Sequence, residues 1–374
     1  MYNKVSFIFP IYKDSEAIED NIKRIFEDNY PNDLKEIIVA VDVPTENFME
    51  KIKKIKSKYK NVKFIISKER RGKVAATNDA VKYSTGDILV FIDADASIVH
   101  IDLQSLVKEV NEYGLVEFYK DMERKGIIGN MLHLEYSMYY DILSIINNKR
   151  KKSLGVNGAG FSVKREIFEK VGGFTRVYVE DLDFAIKAQK AGSKYYLSKS
   201  VILKIKPLET LKQLIDQKKR WTFGAIEFAL NHFDFFIKYF IEDPFSSMVL
   251  ILIFFFPYIL FFYIYFLIPL SYIYDIAIKL YENFLANINI IYVALVNPFS
   301  FYQFFSAIYL TILYIVISTT YTFLLFSIAK KKLYNPIYFF ILSVFYVPLY
   351  EIIFIYVLIY YVLFEMPPKM NWKV

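Results

Sequence analysis

The chain has 374 residues and a formal net charge of +7, with 46 Lys and Arg residues against 39 Asp and Glu residues. The absence of cysteine excludes disulfides, cysteine-ligated zinc and thiol nucleophiles, and three widely spaced histidines leave carboxylate oxygens as the expected ligands of any metal. Basic and acidic residues are interleaved in the polar part of the chain, which favours attraction to anionic lipid headgroups over binding to nucleic acid.

Strands and helices are predicted to alternate from the start of the chain. Short β-rich runs predict strands at residues 5–9, 36–41, 62–66 and 88–92. Apolar residues at helical spacing predict helices at residues 15–29, 48–59 and 74–83. This order predicts an α/β fold with a mostly parallel sheet and helices on both of its faces.

Ligands bind beyond the carboxyl ends of the strands in such sheets, so the residues found there define the candidate site. They are Pro10 and Tyr12 after the first strand, Asp42 after the second, Arg70 to Lys73 after the third, and Asp93 and Asp95 after the fourth. The pattern G-x-G-x-x-G does not follow the first strand, which argues against a nicotinamide or flavin dinucleotide site.

Asp93 and Asp95 come directly after an apolar strand. Residues two apart in an extended chain point to the same side, so both carboxylates could face one divalent ion. Carboxylates combined with water and substrate phosphates suit Mg²⁺ or Mn²⁺. The alternative is that the two aspartates only solvate the end of a strand.

Four groups of residues resemble motifs of the family 2 glycosyltransferases with the GT-A fold, in the same order along the chain. Residues 70–80 and 86–95 resemble the run R-x-G-K, A-x-N-x-A, G-D and D-x-D, and residues 179–183 resemble the (T)ED motif. Residues 217–221 match the Q-x-x-R-W signature of the branch that contains cellulose and hyaluronan synthases. The resemblance covers about residues 4–225 and implies a Rossmann-like GT-A domain.

The resemblance also implies roles for individual residues. Asp181 would be the general base that takes the proton from an acceptor hydroxyl, supported by Glu180, and Asp95 with Asp93 would hold Mg²⁺ or Mn²⁺. The expected contacts of the nucleotide-sugar are Pro10, Tyr12, Asp42, Lys73, Asp93, Gln217, Arg220 and Trp221. Where the family has D-D-G-S after the second strand, this chain has Val-Asp-Val-Pro with a single aspartate, so the role of Asp42 toward the base or ribose is left open.

Gln217, Arg220 and Trp221 share one face of a predicted helix because they are spaced i, i+3 and i+4. Arg220 could contact a pyrophosphate through two N–H groups, Gln217 could add a hydrogen bond, and Trp221 could present a flat surface to a sugar ring. The alternative is an amphipathic helix at a membrane surface, with its tryptophan at the level of the headgroups.

Residues 157–165 and 172–174 resemble the glycine-rich strand and the G-G-F turn beside the acceptor site of the family. Gly158 and Gly160, together with Trp221, are therefore the expected acceptor contacts. Glycine permits a close approach of the backbone to a ligand, although each glycine taken alone would also suit an ordinary turn. Asp183 could equally act as a helix cap.

The distribution of charge predicts a membrane part, because 75 of the 85 Asp, Glu, Lys and Arg residues precede Pro244. We expect spans at about residues 246–270, 303–329 and 336–360, since roughly 20 apolar residues cross a bilayer as a helix. Glu351 lies within the third span, where a carboxylate carries an energetic penalty and indicates a polar cavity or partner, unless it reaches water near the end of the helix.

Three regions are therefore predicted: a glycosyltransferase domain at residues 1–208, interfacial amphipathic helices at 209–243, and a transmembrane region at 244–374. Residues 1–10 lack the pattern of a secretory signal peptide, and lysines at 330–332 are typical of a cytoplasmic loop. The catalytic domain is expected on the cytoplasmic side of the cell membrane.

The predicted function is a processive-type, inverting hexosyltransferase that uses a nucleotide-sugar such as a UDP-hexose and extends a polysaccharide or glycan. One alternative is transfer of a single sugar to a polyprenyl or dolichyl phosphate or to a lipid-linked glycan. A second alternative is an inactive membrane protein that binds glycans. The expected partners are the donor, the glycan or lipid-linked acceptor and the bilayer, with no nucleic acid, and a homo-oligomer is compatible with the sequence.

Overall fold

The computed structural model describes residues 3–248 and 336–364, together with residues 314, 316, 317, 320, 321 and 324. The chain divides into two compact units, Met1–Glu242 with Tyr356–Val374, and Asp243–Ile355. All the candidate site residues named above belong to the first unit.

Eight strands of the first unit form one sheet. They are β1 (Val5–Tyr12), β2 (Lys35–Asp42), β3 (Val62–Ser67), β4 (Ile88–Ile92), β5 (Ala96–Ile101), β6 (Gly114–Met122), β7 (Gly160–Lys164) and β8 (Lys194–Ile205). The helices before the apolar part are α1 (Ile18–Glu27), α2 (Glu46–Lys58), α3 (Lys73–Lys82), α4 (Leu103–Tyr113), α5 (Gly126–Arg150), α6 (Arg165–Lys170), α7 (Glu180–Lys190), α8 (Leu211–Asn231) and α9 (Phe233–Glu242). A short 3₁₀ turn, Asn32–Leu34, precedes β2.

The strand order is β3-β2-β1-β4-β7-β6-β8-β5. The predicted parallel arrangement is confirmed for the first four strands. The rest of the sheet is mixed: β6 runs parallel to β8, but β7 runs antiparallel to both β4 and β6, and β5 runs antiparallel to β8. The sheet is mixed because the direction of a strand depends on how its connections cross the sheet, and the pattern of the first four strands carries no information about the later connections.

β1 is longer than its pattern predicts. The expected end was residue 9, but the strand continues through Pro10 to Tyr12 and pairs with β2 over its whole length. Its pairing with β4 ends at Ile8, so Pro10 lies where no N–H has to be donated to that neighbour. Tyr12 is thereby carried past the end of β4.

An aromatic core lies between the centre of the sheet and the helices on one face. The ring of Phe91 in β4 lies 5.2 Å from that of Phe161 in β7 and 5.1 Å from that of Phe174. Phe184 of α7 packs 4.8 Å from Phe174 and 5.6 Å from Phe168. These buried rings fix α7 against the sheet, and so fix where its first residues lie.

α8 confirms the helix predicted around residues 217–221. It begins with a capping box, in which Thr210 accepts a hydrogen bond from the N–H of Gln213 and the side chain of Gln213 reaches back to the N–H of Thr210. A β-carbon at Gly224 would lie 3.2 Å from the β-carbon of Tyr178 and closer still to the side chain of Val179. The glycine therefore lets α8 pack directly on the residue that precedes α7.

The apolar part is described only over its last helices, α10 (Pro336–Ile341) and α11 (Val347–Phe364), joined by a π-helical segment, Leu342–Tyr346. The π segment precedes Pro348, whose missing N–H disturbs the regular helical hydrogen bonds. Within the described residues, one continuous stretch, Ile337–Phe364, is long and apolar enough to cross a membrane, judged by length and composition. The predicted spans at 246–270 and 303–329 lie almost entirely outside the described residues.

The end of α11 belongs to the first unit and packs on α8. The ring of Tyr361 lies 5.6 Å from that of Phe223, and the ammonium of Lys219 lies 5.0 Å from the ring of Tyr356. The apolar helix and the helix that carries the Q-x-x-R-W residues are therefore in direct contact.

Candidate active site

A pocket with about 310 Å³ of empty space opens beyond the carboxyl ends of β1 and β4. Its floor is aromatic, formed by Phe91, Phe161 and Phe174. Its polar wall is formed by Lys73, Asp93, Gly158, Glu180 and Asp181, with Pro10 at the side. Six predicted residues from five separate segments thus line one cavity.

Lys73 joins the two acidic motifs. It is the first residue of α3, and its ammonium lies 2.8 Å from Asp93 and 3.1 Å from Glu180. Burial opposes the positive charge, but the carboxylates of Asp93, Glu180 and Asp181 together raise the pKa of Lys73 above its ordinary value. One cation therefore holds the acidic residues near positions 93 and 180 at the same point.

The D-x-D segment is a turn rather than the extended chain that the strand pattern predicts. The N–H of Ala96 donates to the carbonyl of Asp93 at 3.1 Å, which closes the turn before β5. Outside the turn, Ser15 donates to the carbonyl of Ala94 at 2.6 Å, and Asn21 donates to the carbonyl of Ala96 at 2.8 Å. The two carboxylates are thus presented by a tight turn whose backbone is held from α1 and the loop before it.

Asp181 is held by backbone N–H groups. Gly158 donates to one carboxylate oxygen at 2.6 Å, and Leu182 donates to the other at 2.9 Å. Burial raises the pKa of Asp181 to about 6, and the neighbouring Glu180 adds to this, while Lys73 and the two N–H donors oppose it. A carboxylate with this pKa is ionised at neutral pH and can still accept a proton, as a general base requires.

Asp95 is exposed and does not line the pocket. The protein atoms around its carboxyl group, and then the adjacent Asp93, raise the pKa of Asp95 to about 6, while Lys73 and Arg220 lower it. Two crowded carboxylates, of which only Asp93 is paired with a lysine, are a donor set that a divalent cation would stabilise. Arg220 of α8 is thus near enough to Asp95 to act on its charge.

No group of three or more acidic or histidine side chains within the described part of the chain could hold a metal ion. Asp93 and Asp95 fit Mg²⁺ or Mn²⁺ as a pair, with the remaining ligands coming from phosphates and water, because these ions keep several non-protein ligands.

Asp42 supports the loop that leads to Lys73. Its carboxylate accepts hydrogen bonds from the N–H of Arg71 at 2.7 Å and from the N–H of Gly72 at 3.1 Å, and it pairs with the guanidinium of Arg71 at 2.8 Å. Gly72 has a positive φ of 92° and is the N-cap of α3, so Asp42 sets the start of that helix. Direct contact between Asp42 and a nucleotide stays a prediction.

The remaining predicted donor contacts surround this loop and α8. Tyr12 is 45% exposed, and the guanidinium of Arg70 lies over its ring at 4.4 Å. Gln217, Arg220 and Trp221 lie on α8 outside the pocket lining, all partly buried. Their contacts with a donor or acceptor stay predictions.

Trp221 is oriented by a buried ion pair. Lys218 is 2% exposed, its ammonium lies 3.1 Å from Glu135 of α5, and it covers the ring of Trp221 at 4.4 Å. This ion pair joins α8 to α5.

The two glycines predicted at the acceptor site have different surroundings. A β-carbon at Gly158 would lie 2.7 Å from the carboxylate of Asp181, so this glycine permits the close approach of the expected base. A β-carbon at Gly160 would meet Leu203 of β8, so this position requires glycine for packing within the sheet. The G-G-F turn at residues 172–174 is held by Asn78, whose side chain donates to the carbonyl of Phe174 at 2.9 Å and accepts from the N–H of Phe174 at 3.0 Å.

Asp183 is not the cap of α7, because the N-cap residue is Val179 and no side chain caps the helix. It lies one turn into α7, 2.6 Å from Lys187 and 2.9 Å from His232, where α8 ends. It therefore ties α7 to the end of α8.

Sequence reasoning missed the buried Glu117 of β6, whose carboxylate accepts from the N–H of Asn157 at 3.1 Å. The available signal was a single acidic residue in the apolar run Leu115–Phe118, since such a residue is fully buried only when it is paired.

Comparison with known proteins points to a class for part of the chain. Residues 6–172, less than half of the chain, match the family described as Glycosyl transferase family 2. That part of the chain is therefore similar to family 2 glycosyltransferases, and it contains a mixed, GT-A-like α/β sheet.

Individual relatives are distant. The chain is 25% identical to the probable glycosyltransferase YdaM of Bacillus subtilis over 70% of its own length and 63% of that protein. It is also 25% identical to the poly-beta-1,6-N-acetyl-D-glucosamine synthase of Staphylococcus aureus, over 61% of its own length and 56% of the synthase. The chain thus matches less than two thirds of the length of either relative.

Among solved structures, the chain resembles the mannosyltransferase PcManGT from Pyrobaculum calidifontis in complex with GDP-Man and Mn²⁺. The sequence identity is 22% and the TM-score is 0.49, over 63% of this chain and 65% of that one.

Proposed function

We propose that this chain is a membrane-bound, inverting glycosyltransferase that transfers a hexose unit from a nucleotide-sugar to a growing polysaccharide or glycan. The observation that carries the proposal is the contact of one lysine, Lys73, with both Asp93 and Glu180, beside a buried Asp181 in the same pocket. The match of residues 6–172 to the family also supports glycosyl transfer as the class of reaction.

Asp181 is the proposed general base. It would accept the proton of an acceptor hydroxyl as the hydroxyl oxygen bonds to the anomeric carbon and the bond from that carbon to the diphosphate oxygen breaks. Attack from the side opposite the leaving group inverts the configuration. The N–H groups of Gly158 and Leu182 hold the carboxylate in one orientation, which keeps its position before the acceptor arrives.

Asp93 and Asp95 are the proposed ligands of Mg²⁺ or Mn²⁺. When bound, such an ion neutralises charge that develops on the leaving diphosphate. Lys73 keeps Asp93 in place and adds positive charge beside the site, and Arg220 brings a second cation toward Asp95.

The donor and acceptor surfaces are proposed from the same arrangement. Tyr12, Asp42 and Pro10 would lie along the nucleotide, while Gln217, Arg220 and Trp221 of α8 would contact the diphosphate and the sugar. Gly158, Gly160 and Trp221 would line the acceptor side. The contact of α8 with the end of the apolar helix α11 supports an acceptor site close to a bilayer.

Three regions are proposed: the catalytic domain at residues 1–208, interfacial helices at 209–243 and a transmembrane region from 244, with the catalytic domain on the cytoplasmic side. Exposed apolar residues along α8 and α9, such as Leu230, Phe233 and Ile237, support the interfacial assignment.

The direct test is a screen of the full-length protein, purified in detergent and in lipid nanodiscs, against UDP-hexoses, UDP-N-acetylhexosamines and GDP-mannose. Released nucleoside diphosphate is measured with Mn²⁺, with Mg²⁺ and with EDTA. We expect metal-dependent turnover of one donor. Absence of hydrolysis and transfer across the panel would contradict the proposal and would favour a glycan-binding protein without activity.

The acceptor is tested by the length of the product. Mass spectrometry of the product from the active donor distinguishes a ladder of chain lengths, expected for a polymerising enzyme, from a single added sugar. A single addition to a polyprenyl phosphate or lipid-linked glycan would replace the polysaccharide reading and leave the rest of the proposal intact.

A further inference from the structure

Glu117 is a fully buried carboxylate that contacts the active-site loop at Asn157 and does not line the pocket. It lies in the middle of β6 and is 0% exposed. Four donors surround it: Lys120 at 3.0 Å, the hydroxyls of Tyr140 at 3.1 Å and Tyr195 at 2.8 Å, and the backbone N–H of Asn157 at 3.1 Å. A buried charge with this many partners is held in one position.

The loop that Glu117 holds, residues 157–160, contacts both acidic motifs. The N–H of Gly158 donates to Asp181 at 2.6 Å, and the carbonyl of Ala159 accepts from the N–H of Asp93 at 3.2 Å. Within the loop, the side chain of Asn157 accepts from the N–H of Ala159 at 3.0 Å, so the loop is internally braced. A shift at Asn157 would therefore be transmitted to the expected base and to the D-x-D turn together.

We propose that Glu117 is a positioning residue for catalysis: by holding Asn157, it aims the N–H of Gly158 at Asp181 and the carbonyl of Ala159 at Asp93. The inference rests on the proposed function, because it assigns Asp181 and Asp93 their roles in the reaction. It adds a residue that touches neither donor nor acceptor, since Glu117 has no exposed surface.

The protonation of Asp181 can be followed through the pH dependence of activity. Asp181 is influenced by Glu180 on its own helix, Lys73 of α3, Lys120 of β6, and Tyr136 and Tyr139 of α5. The N–H of Gly158 favours the ionised carboxylate. Without that donor the pKa of Asp181 rises. The acidic limb of the activity profile, which is the part where activity falls as the pH is lowered, therefore moves to higher pH.

The test removes Glu117 without adding net charge. In the double variant Glu117→Gln with Lys120→Gln, both members of the buried ion pair are replaced by neutral side chains. We expect kcat to fall about tenfold to a hundredfold, because small displacements of a catalytic group have effects of this size. We also expect KM for the nucleotide-sugar to change less than twofold, and the acidic limb to move to higher pH.

Glu36 of β2 provides a matched control. It is also a buried carboxylate, 5% exposed, and it holds a loop by accepting hydrogen bonds from Ser6, Thr85 and Gly86. That loop precedes β4, at the end of the strand opposite the pocket. Glu36→Gln is expected to lower the thermal midpoint while leaving kcat and the pH profile of the folded protein unchanged.

Tyr195→Phe is a milder second variant, because it removes only the 2.8 Å hydrogen bond to Glu117. It is expected to fold and to change kcat and the acidic limb in the same direction, by a smaller factor. The inference is overturned if the folded double variant, or Tyr195→Phe where the double variant does not fold, keeps the wild-type kcat and acidic limb. Failure of the wild-type protein to transfer any sugar would overturn the proposed function instead.

Discussion

The backbone N–H of Gly158 lies 2.6 Å from the carboxylate of Asp181, although the two residues are 23 positions apart in the chain. A β-carbon at position 158 would lie 2.7 Å from that same oxygen, so only glycine permits the contact. The arrangement joins the glycine-rich segment to the acidic motif of α7. It defines the orientation of the carboxylate that the proposed reaction uses as its base.

Gly158→Ala is expected to displace Asp181, because the added methyl group would occupy the space of the carboxylate. We expect kcat to fall at least about tenfold. KM for the donor should change little. Gly126→Ala is the control for steric contact, since a β-carbon there would meet nothing within 4 Å, and its φ of 65° adds a backbone strain that Gly158 does not have. Equal activity losses in the two variants would argue against a specific contact.

Asp181→Asn is expected to reduce kcat by about 10²-fold to 10⁴-fold, the usual contribution of a general base, with the fold retained. Released nucleoside diphosphate is the measurement. Asp183→Asn on the same helix is the matched control, because the carboxylate of Asp183 pairs with Lys187 and His232. It should weaken stability more than activity. Full turnover in Asp181→Asn would remove this residue as the base.

Activity is expected to fall as the pH drops below about 6. Burial raises the pKa of Asp181 to about 6, and only the carboxylate form can accept the proton of the acceptor. The profile of kcat/KM against pH measures this limb, because it reports ionisations of the free enzyme. An acidic limb near pH 4, the ordinary range of a carboxyl group, would contradict it.

The same pKa predicts a stability difference. The folded protein binds the Asp181 proton more tightly than the unfolded chain, so the contribution of this group to stability falls as pH rises from about 4 to about 6. Over that interval, wild-type protein should lose unfolding free energy relative to Asp181→Asn. Denaturant titrations of both proteins at several pH values measure this. A difference that does not vary with pH would contradict it.

Lys73→Met removes the cation between Asp93 and Glu180. We expect activity to fall about 10²-fold, because the carboxylates would repel each other and leave their positions. The acidic limb of the profile should move to higher pH, since Lys73 lowers the pKa of Asp181. Lys82→Met, at the exposed end of the same helix, is the control and should retain activity. An unchanged acidic limb in Lys73→Met would show that the lysine does not act on Asp181.

Metal dependence is tested at Asp95. EDTA should abolish transfer, and Mn²⁺ or Mg²⁺ should restore it. Asp95→Asn is expected to raise the metal concentration required for half-maximal activity about tenfold or more, because it removes one of two anionic ligands. Asp20→Asn, on the exposed face of α1, should behave as wild type. Wild-type metal activation in Asp95→Asn would assign the ion to other ligands.

The local pattern of residues was sufficient to predict the first four strands and the three helices between them. β4, with the run ILVFI, is apolar throughout and is followed by the polar Asp93. The helix carrying Gln217, Arg220 and Trp221 was equally clear, because their i, i+3 and i+4 spacing is a local feature. Such features depend on neighbours along the chain, which sequence reasoning can read directly.

The second half of the sheet, and the geometry of the D-x-D segment, depended on distant residues. Asp93 to Ala96 forms a turn because Ser15 and Asn21, about 75 positions earlier, bind its backbone. The antiparallel entry of β7 beside β4 likewise follows from connections that cross the sheet. Neither leaves a periodic signal in its own segment.

The sequence by itself determined the chemistry available to this protein: carboxylates without cysteine, an alternating α/β order, ordered acidic motifs and an apolar C-terminal part. Tertiary structure alone decided that Lys73 bridges Asp93 and Glu180, that Asp42 supports a loop, and that a buried Glu117 lies behind the active-site segment. The physical reason is that residue types and spacing are local, whereas charge pairing and burial arise only when distant segments are brought within a few ångströms.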